Sequence, residues 1–205
     1  MFELHEMKIE MTFDEEVLGL WPSDPDIYKE FFAAKAPDAK TRKEEIEEFG
    51  AEAVAERGRT IFPKLEDGTP FMYDYQIKGM FKDACSMLRR IGGTESSRLT
   101  AYKKVIDGNI FVKERRNPFH RGGVPIEERE LGDCQRPLRA QTPQGERVSL
   151  ASSETVPAGS QLTFTVELMD PGHADLVREW MDYGSKRGFG QWRNSGKGRY
   201  HWREI

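Results

Sequence analysis

The chain has 205 residues, 37% of them apolar, with 31 Lys and Arg against 35 Asp and Glu and a formal net charge of −4. That length supports one domain with its own core, and 12 Phe, 6 Tyr and 4 Trp are too many for a disordered chain. No run approaches a membrane-spanning length and Met1–Glu6 lacks a basic-then-apolar pattern, so neither a span nor a secretory leader is expected, and the expected location is the cytoplasm.

Charge is unevenly spread. Residues 1–60 carry 16 Asp and Glu against 8 Lys and Arg, whereas residues 61–205 carry 19 against 23. Such a chain can present a bipolar surface that holds a polyanion on one side and meets a protein on the other. Cys85 and Cys134 read as reduced thiols. With four scattered histidines (His5, His120, His173, His201) they show no metal-ligand spacing, so neither a metal nor a cofactor is expected.

In chain order, Lys8–Phe13 alternates polar and apolar residues, the pattern of a half-buried strand, and Val17–Trp21 extends or follows it. Trp21-Pro22-Ser23-Asp24-Pro25 is a turn. Residues 26–56 have a helical, acidic pattern that includes Glu44, Glu45, Glu47 and Glu48, and read as an insertion into the sheet order. Short strands are expected at Thr60–Pro63 and Phe71–Tyr73, around the turn Glu66-Asp67-Gly68-Thr69. A helix over about 76–90 places Ile77, Met80, Phe81, Ala84, Met87, Leu88 and Ile91 on one face and stops at Gly92-Gly93.

Residues 101–147 read as irregular, with strands at Val105–Ile106 and Ile110–Lys113, a loop around Gly122-Gly123 and a turn at Gln144-Gly145. Leu162–Leu168 is the clearest strand, with Leu162, Phe164, Val166 and Leu168 on one face. A short helix over 173–183 buries Leu176, Val177, Trp180 and Met181, and a Gly-rich basic tail runs from Gly184 to Arg203. The simplest solution is a single α+β domain over 1–205. It has a ferredoxin-like, RNA-recognition-motif-like β-α-β-β-α-β core, the acidic helical insertion and a C-terminal Gly-rich loop.

Two readings of the tail stand side by side. Lys186, Arg187, Arg193, Lys197 and Arg199 can neutralise phosphates while Phe189 and Trp192 stack on bases. Equally, the glycines form a turn packed on a helix and the cations are solvated. The tail is not a Walker loop, because no Gly-Lys-Ser/Thr opens a helix. Arg115 and Arg116 lead a second basic stretch that contains His120, and Arg136 and Arg139 can clamp a phosphate or pair with the acidic helices.

Three stretches, in order, resemble the RAMP superfamily of CRISPR-associated RNA-binding proteins, above all the backbone subunits of effector complexes. They are Phe71-Met72-Tyr73-Asp74-Tyr75-Gln76-Ile77-Lys78-Gly79-Met80-Phe81-Lys82, Glu154–Phe164, and Lys186-Arg187-Gly188-Phe189-Gly190, which is similar to the family's Gly-rich loop. The resemblance covers about half of the chain and implies a modified RNA-recognition-motif fold in which Lys78, Lys82 and the tail contact an RNA backbone. Over its whole length the chain also looks like uncharacterised proteins of phages and mobile elements.

The leading expectation is a non-catalytic, RAMP-like protein that binds single-stranded RNA or a nucleotide and self-associates. A second is a mobile-element protein that uses the acidic insertion to engage a host defence complex, or captures that complex's nucleotide signal. A third is a metal-dependent ribonuclease using Asp24 or Asp26, residues that also suit helix capping. His120, and His201 beside it, are general acid–base candidates without a visible partner in sequence.

Overall fold

In the computed structural model the chain is described over residues 4–23, 59–142 and 145–205, with the backbone alone over 138–142 and 145–150. The acidic insertion at 26–56 and Asp24 lie outside the described residues.

Strict alternation builds the main sheet. Strand β1 (His5–Phe13) buries Met7, Ile9, Met11 and Phe13, while Lys8, Glu10 and Thr12 between them face the other way. Antiparallel to it runs β11 (Gln161–Leu168), which pairs Phe164 with Ile9 and Leu162 with Met11. On the opposite side of β1 lies β12 (Tyr200–Glu204). The far edge of β11 is shared by β6 (Ile110–Val112) and β7 (Arg116–Arg121), and β7 continues the sheet to β5 (Phe71–Tyr73) and β8 (Val124–Pro125). The central order is β12-β1-β11 followed by β6 and β7, with every neighbour antiparallel.

Helices α1 (Asp74–Leu88) and α3 (Ala174–Arg187) cover one face and pack on each other. Their buried side chains, Ile77, Phe81 and Ala84 from α1 and Leu176, Val177, Trp180 and Met181 from α3, close the core over the apolar row of β1 and β11. Phe81 and Trp180 meet with ring centroids 5.6 Å apart. Tyr73 N–H donates to Gln76 Oε1 at 2.8 Å, and Asp74 sits in the first turn, so α1 opens with a satisfied donor and a favourable charge.

The other face of the sheet is polar and ion-paired. Lys113 Nζ lies 2.6 Å from Glu6 and 3.7 Å from Glu167, and Arg203 lies 2.7 Å from Glu10.

Several expectations need correcting. Val105 and Ile106 lie in a helix, α2 (Tyr102–Asn109), which buries Ile106 alone of its residues; a two-residue apolar pair cannot distinguish one helical turn from a strand. Residues 101–147, read as irregular, contain α2, β6, β7, β8 and most of a long hairpin. The helix α1 ends at Leu88, before Gly92-Gly93, so Met87 and Ile91 are exposed rather than core. Gly184–Arg187 is the last turn of α3 rather than loop.

The second sheet orders β2 (Val17–Leu18), β10 (Gly145–Val156), β4 (Thr60–Ile61) and β3 (Trp21–Pro22), with β9 (Gly132–Thr142) beside β10. From Gly132↔Thr155 to Thr142↔Gly145 the strands β9 and β10 pair without a break. Among the described residues other strands pair with β10 at its base, at Ser153, Thr155 and Val156. The remainder is a two-stranded ribbon about 25 Å long.

The loop between α3 and β12 is where glycine is indispensable. Gly188 (φ +85°) ends α3 by donating to the Gly184 carbonyl at 2.8 Å, and Gly198 has φ +68°. A Cβ on Gly198 would overlap the Phe189 carbonyl, and one on Gly188 would overlap the Lys197 carbonyl, so the two arms of the loop touch backbone to backbone. Gly198→Ala is expected to lower stability by about 2–4 kcal/mol in urea titrations. Gly92→Ala, where a Cβ meets nothing within 4 Å, is expected to change it by less than about 0.5 kcal/mol.

Candidate nucleic-acid interface

The Gly-rich loop is held by a polar network that ties it to the second sheet. Gln191 Nε2 donates to the Gly19 carbonyl at 2.7 Å and to Thr60 Oγ1 at 3.2 Å. Its Oε1 accepts from Arg136 at 2.6 Å, and Arg136 also donates to Ser153 Oγ at 3.2 Å. Thr60 and Ser153 share a hydrogen bond at 2.7 Å. Arg136 is only 8% exposed, yet its guanidinium lies 5.6 Å from the ring centroid of Trp192, which is 40% exposed. Trp192 is therefore a surface aromatic backed by a fixed cation.

Phe189, expected to stack on bases, is 3% exposed and packs on Phe13 with centroids 6.3 Å apart. The core takes its ring, because the turn at Gly188 points residue 189 inward.

The tail cations divide by partner. Arg193 lies 2.6 Å from Asp83 on α1, and Arg187 approaches the same carboxylate at 3.8 Å while donating to Asn194 at 2.6 Å. Lys197 is 2.7 Å from Glu16, whose hydrogen bond holds the ammonium above its usual pKa. Lys186 and Arg199 are exposed and lie with His201, Asp14 and Asp182 around a separate polar cleft, also near the C-terminal end of α3. There His201 Nδ1 is 2.7 Å from Asp14 Oδ1, a partner 187 residues away that sequence could not reveal.

Lys78 and Lys82 sit on the opposite flank of α1 from Asp83. Lys82 is 2.6 Å from Asp107 of α2, and Lys78 donates to the Asp107 carbonyl at 3.2 Å and lies 5.2 Å from the Phe111 ring centroid. Burial pulls the Lys78 ammonium below its usual value, helped by Lys82 and opposed by Asp107 and Asp74. The structure thus separates this pair from the tail that the resemblance joined to it. Arg139 lies on β9 opposite Val148. His120 on β7 has its Nδ1 3.2 Å from the Pro118 carbonyl. Among the described residues no three His, Cys, Asp or Glu side chains converge to hold a metal, and Asp26, like Asp24, lies outside them.

An aromatic and arginine cluster at the start of α1 was not anticipated. Trp21 and Tyr73 stack with centroids 5.3 Å apart, as do Tyr73 and Tyr75 at 5.4 Å, and Trp21 Nε1 donates to the Tyr75 hydroxyl at 3.2 Å. Arg115, paired with Asp74, lies 5.1 Å from the Tyr73 centroid and 5.6 Å from that of Tyr75, and Arg116 lies 5.6 Å from that of Phe71. Tyr75 is 41% exposed. Between this cluster and the Gly-rich loop lies a cavity of about 370 Å³, with Trp21, Tyr75, Gln76, Gly79, Asp83 and Arg193 in its lining. The result is a continuous track: Arg115, the stacked aromatics, the cavity, Arg193 and Arg187, then Trp192 over Arg136.

No protein-family model and no curated protein matches the sequence. Among solved structures, the chain matches a subunit of the Type III-B Cmr-beta complex bound to cognate target RNA, with a TM-score of 0.54 and 12% identity over 98% of this chain. It also matches a subunit of a Type IV-B CRISPR complex, with a TM-score of 0.51 and 11% identity over 98% of this chain and 90% of that one. The chain spans 59% of the length of the Cmr-beta subunit. At these identities the likeness is one of fold: a mixed α+β fold shared with these CRISPR complex subunits.

Arg136→Ala leaves Gln191 Oε1 without its donor inside the network. The expected cost is about 1–3 kcal/mol, read as a lower midpoint in thermal unfolding.

Proposed function

We propose that this chain is a non-catalytic, RNA-binding protein of the RAMP type, with a ferredoxin-like core, that binds single-stranded RNA along the track from Arg115 to Trp192. The strand order β12-β1-β11-β6, with α1 between the first and second core strands and α3 between the third and fourth, supports the ferredoxin-like assignment. The observation that carries the reading is the track itself, in which surface aromatics alternate with arginines whose positions are set by Asp74, Asp83 and Gln191. Stacking planes hold bases without regard to duplex geometry, and the arginines neutralise the phosphates between them.

The outer sheet face, which an RNA-recognition motif uses for base stacking, here carries the Lys113–Glu6 and Arg203–Glu10 pairs, and this favours the helix-and-loop side. Both structural neighbours are parts of larger complexes, which supports association of this chain with further subunits or with copies of itself on RNA.

Fluorescence anisotropy with labelled single-stranded RNA and duplex DNA, at two salt concentrations, tests the proposal. The single strand should bind more tightly, and its affinity should fall steeply with salt. Trp192→Ala should weaken binding by about 1–3 kcal/mol, and Arg115→Ala should lessen the salt dependence. Salt-independent binding, or affinity unchanged in both variants, would count against this track.

A further inference from the structure

Resting on that reading of the track, we propose that the cavity between α1, β3 and the Gly-rich loop is a subsite for one guanine base of the bound strand. At about 370 Å³ it lies at the lower end of the roughly 300–1,000 Å³ of small-ligand sites. Its walls are apolar or aromatic, from Leu20, Trp21, Pro22, Met80 and Tyr75, which suits the flat faces of a base turned out of its stack.

Its polar groups are few and of definite sense. Asp83 Oδ2 accepts from Arg193 at 2.6 Å, while Oδ1 accepts no bond among the described residues. Gln76 Oε1 is occupied by the Tyr73 N–H at 2.8 Å, which leaves its amide N–H₂ as a donor toward the cavity it lines. The site therefore offers a carboxylate acceptor beside the Arg193 guanidinium, with the Gln76 amide a separate donor two helical turns back along α1.

Guanine is the base whose pairing edge complements this set. Its N1–H and N2–H₂ groups are adjacent donors that a carboxylate accepts together, and its O6 accepts from a neighbouring guanidinium. Adenine and cytosine each place a ring-nitrogen acceptor beside their amino group, so a carboxylate there meets a lone pair. Uracil has a single N–H between two carbonyls. Arg193 and Arg187 hold the Asp83 carboxylate in place, at 2.6 and 3.8 Å, so the acceptor is set before a ligand arrives.

The test compares three labelled twelve-nucleotide RNAs, one all-uridine and two with a single central guanosine or adenosine. Anisotropy titrations use the full chain, Asp83→Asn and Gly79→Leu, with calorimetric titration of GMP as a separate arm. Asp83→Asn turns one acceptor oxygen into a donor facing guanine's own donors. Gly79→Leu fills the cavity mouth at a helix position where a Cβ meets nothing within 4 Å, and it raises helix propensity, so the variant folds with the Arg193–Asp83 pair intact.

The guanosine strand should bind the unmodified protein about tenfold more tightly than the other two, within the range of one bidentate base contact. Both variants should bring that ratio close to one; Gly79→Leu should still bind the all-uridine strand, whereas Asp83→Asn should also weaken that strand, because Asp83 positions Arg193. Equal affinity for the three strands overturns the guanine subsite and leaves the RNA track standing, as does a guanosine preference that survives both variants. Binding of GMP that is lost in Gly79→Leu, with none of the strands bound, keeps the subsite and removes the track; failure of both the strands and GMP overturns both.

Discussion

The close approach of Gly188 and Gly198 across the loop between α3 and β12 is the constraint on which the rest depends. Because these two backbones touch, Phe189 turns inward onto Phe13, Gln191 reaches Gly19 and Thr60, and Trp192 lies over Arg136. The same loop delivers Arg193 and Arg187 to Asp83 and Tyr200 to its place opposite Phe13 in the sheet. Glycines that invite comparison with a phosphate-cradling loop are here used for chain packing. Their functional effect is indirect: they fix where the neighbouring aromatic and cationic side chains stand.

Charge follows the same logic. Most cations that composition marks as phosphate binders are engaged inside the molecule, Lys82 by Asp107, Lys197 by Glu16 and Arg193 by Asp83. Pairing lowers the net field but holds a guanidinium in one orientation, and arginine keeps donors to spare when one or two are used. The track is accordingly a set of positioned groups rather than a diffuse basic patch, in keeping with a chain of overall negative charge.

The fold was legible where burial is periodic. The alternation in β1 and β11 and the apolar faces of α1 and α3 could be read directly, because one-sided burial imposes periods of 2 and 3.6 on any chain. Where burial is slight the pattern is too weak to read: α2 buries only Ile106. Arg115, Arg187, Arg193 and Trp192 were identified from residue type, and all stand on the track. Trp21, Tyr73, Tyr75, Gln76 and Asp83 were missed. They come from two separate segments, and Asp83 was passed over because an acid does not attract notice in a search for phosphate contacts.

The amino-acid order by itself determined the class of fold, the two core helices, the strongest strand and the supply of cations and aromatics toward the C-terminus, since these follow from local periodicity and composition. Only the tertiary structure decided which of those side chains stand on the surface and around the cavity. It buried Phe189, parted Lys78 and Lys82 from the tail across α1, and brought Trp21, Tyr75, Asp83 and Arg193 around one cavity. The physical reason is that a site assembled from residues up to 172 positions apart, as Gln191 and Gly19 are in its supporting network, leaves no periodic trace in sequence and exists only once the sheets are paired.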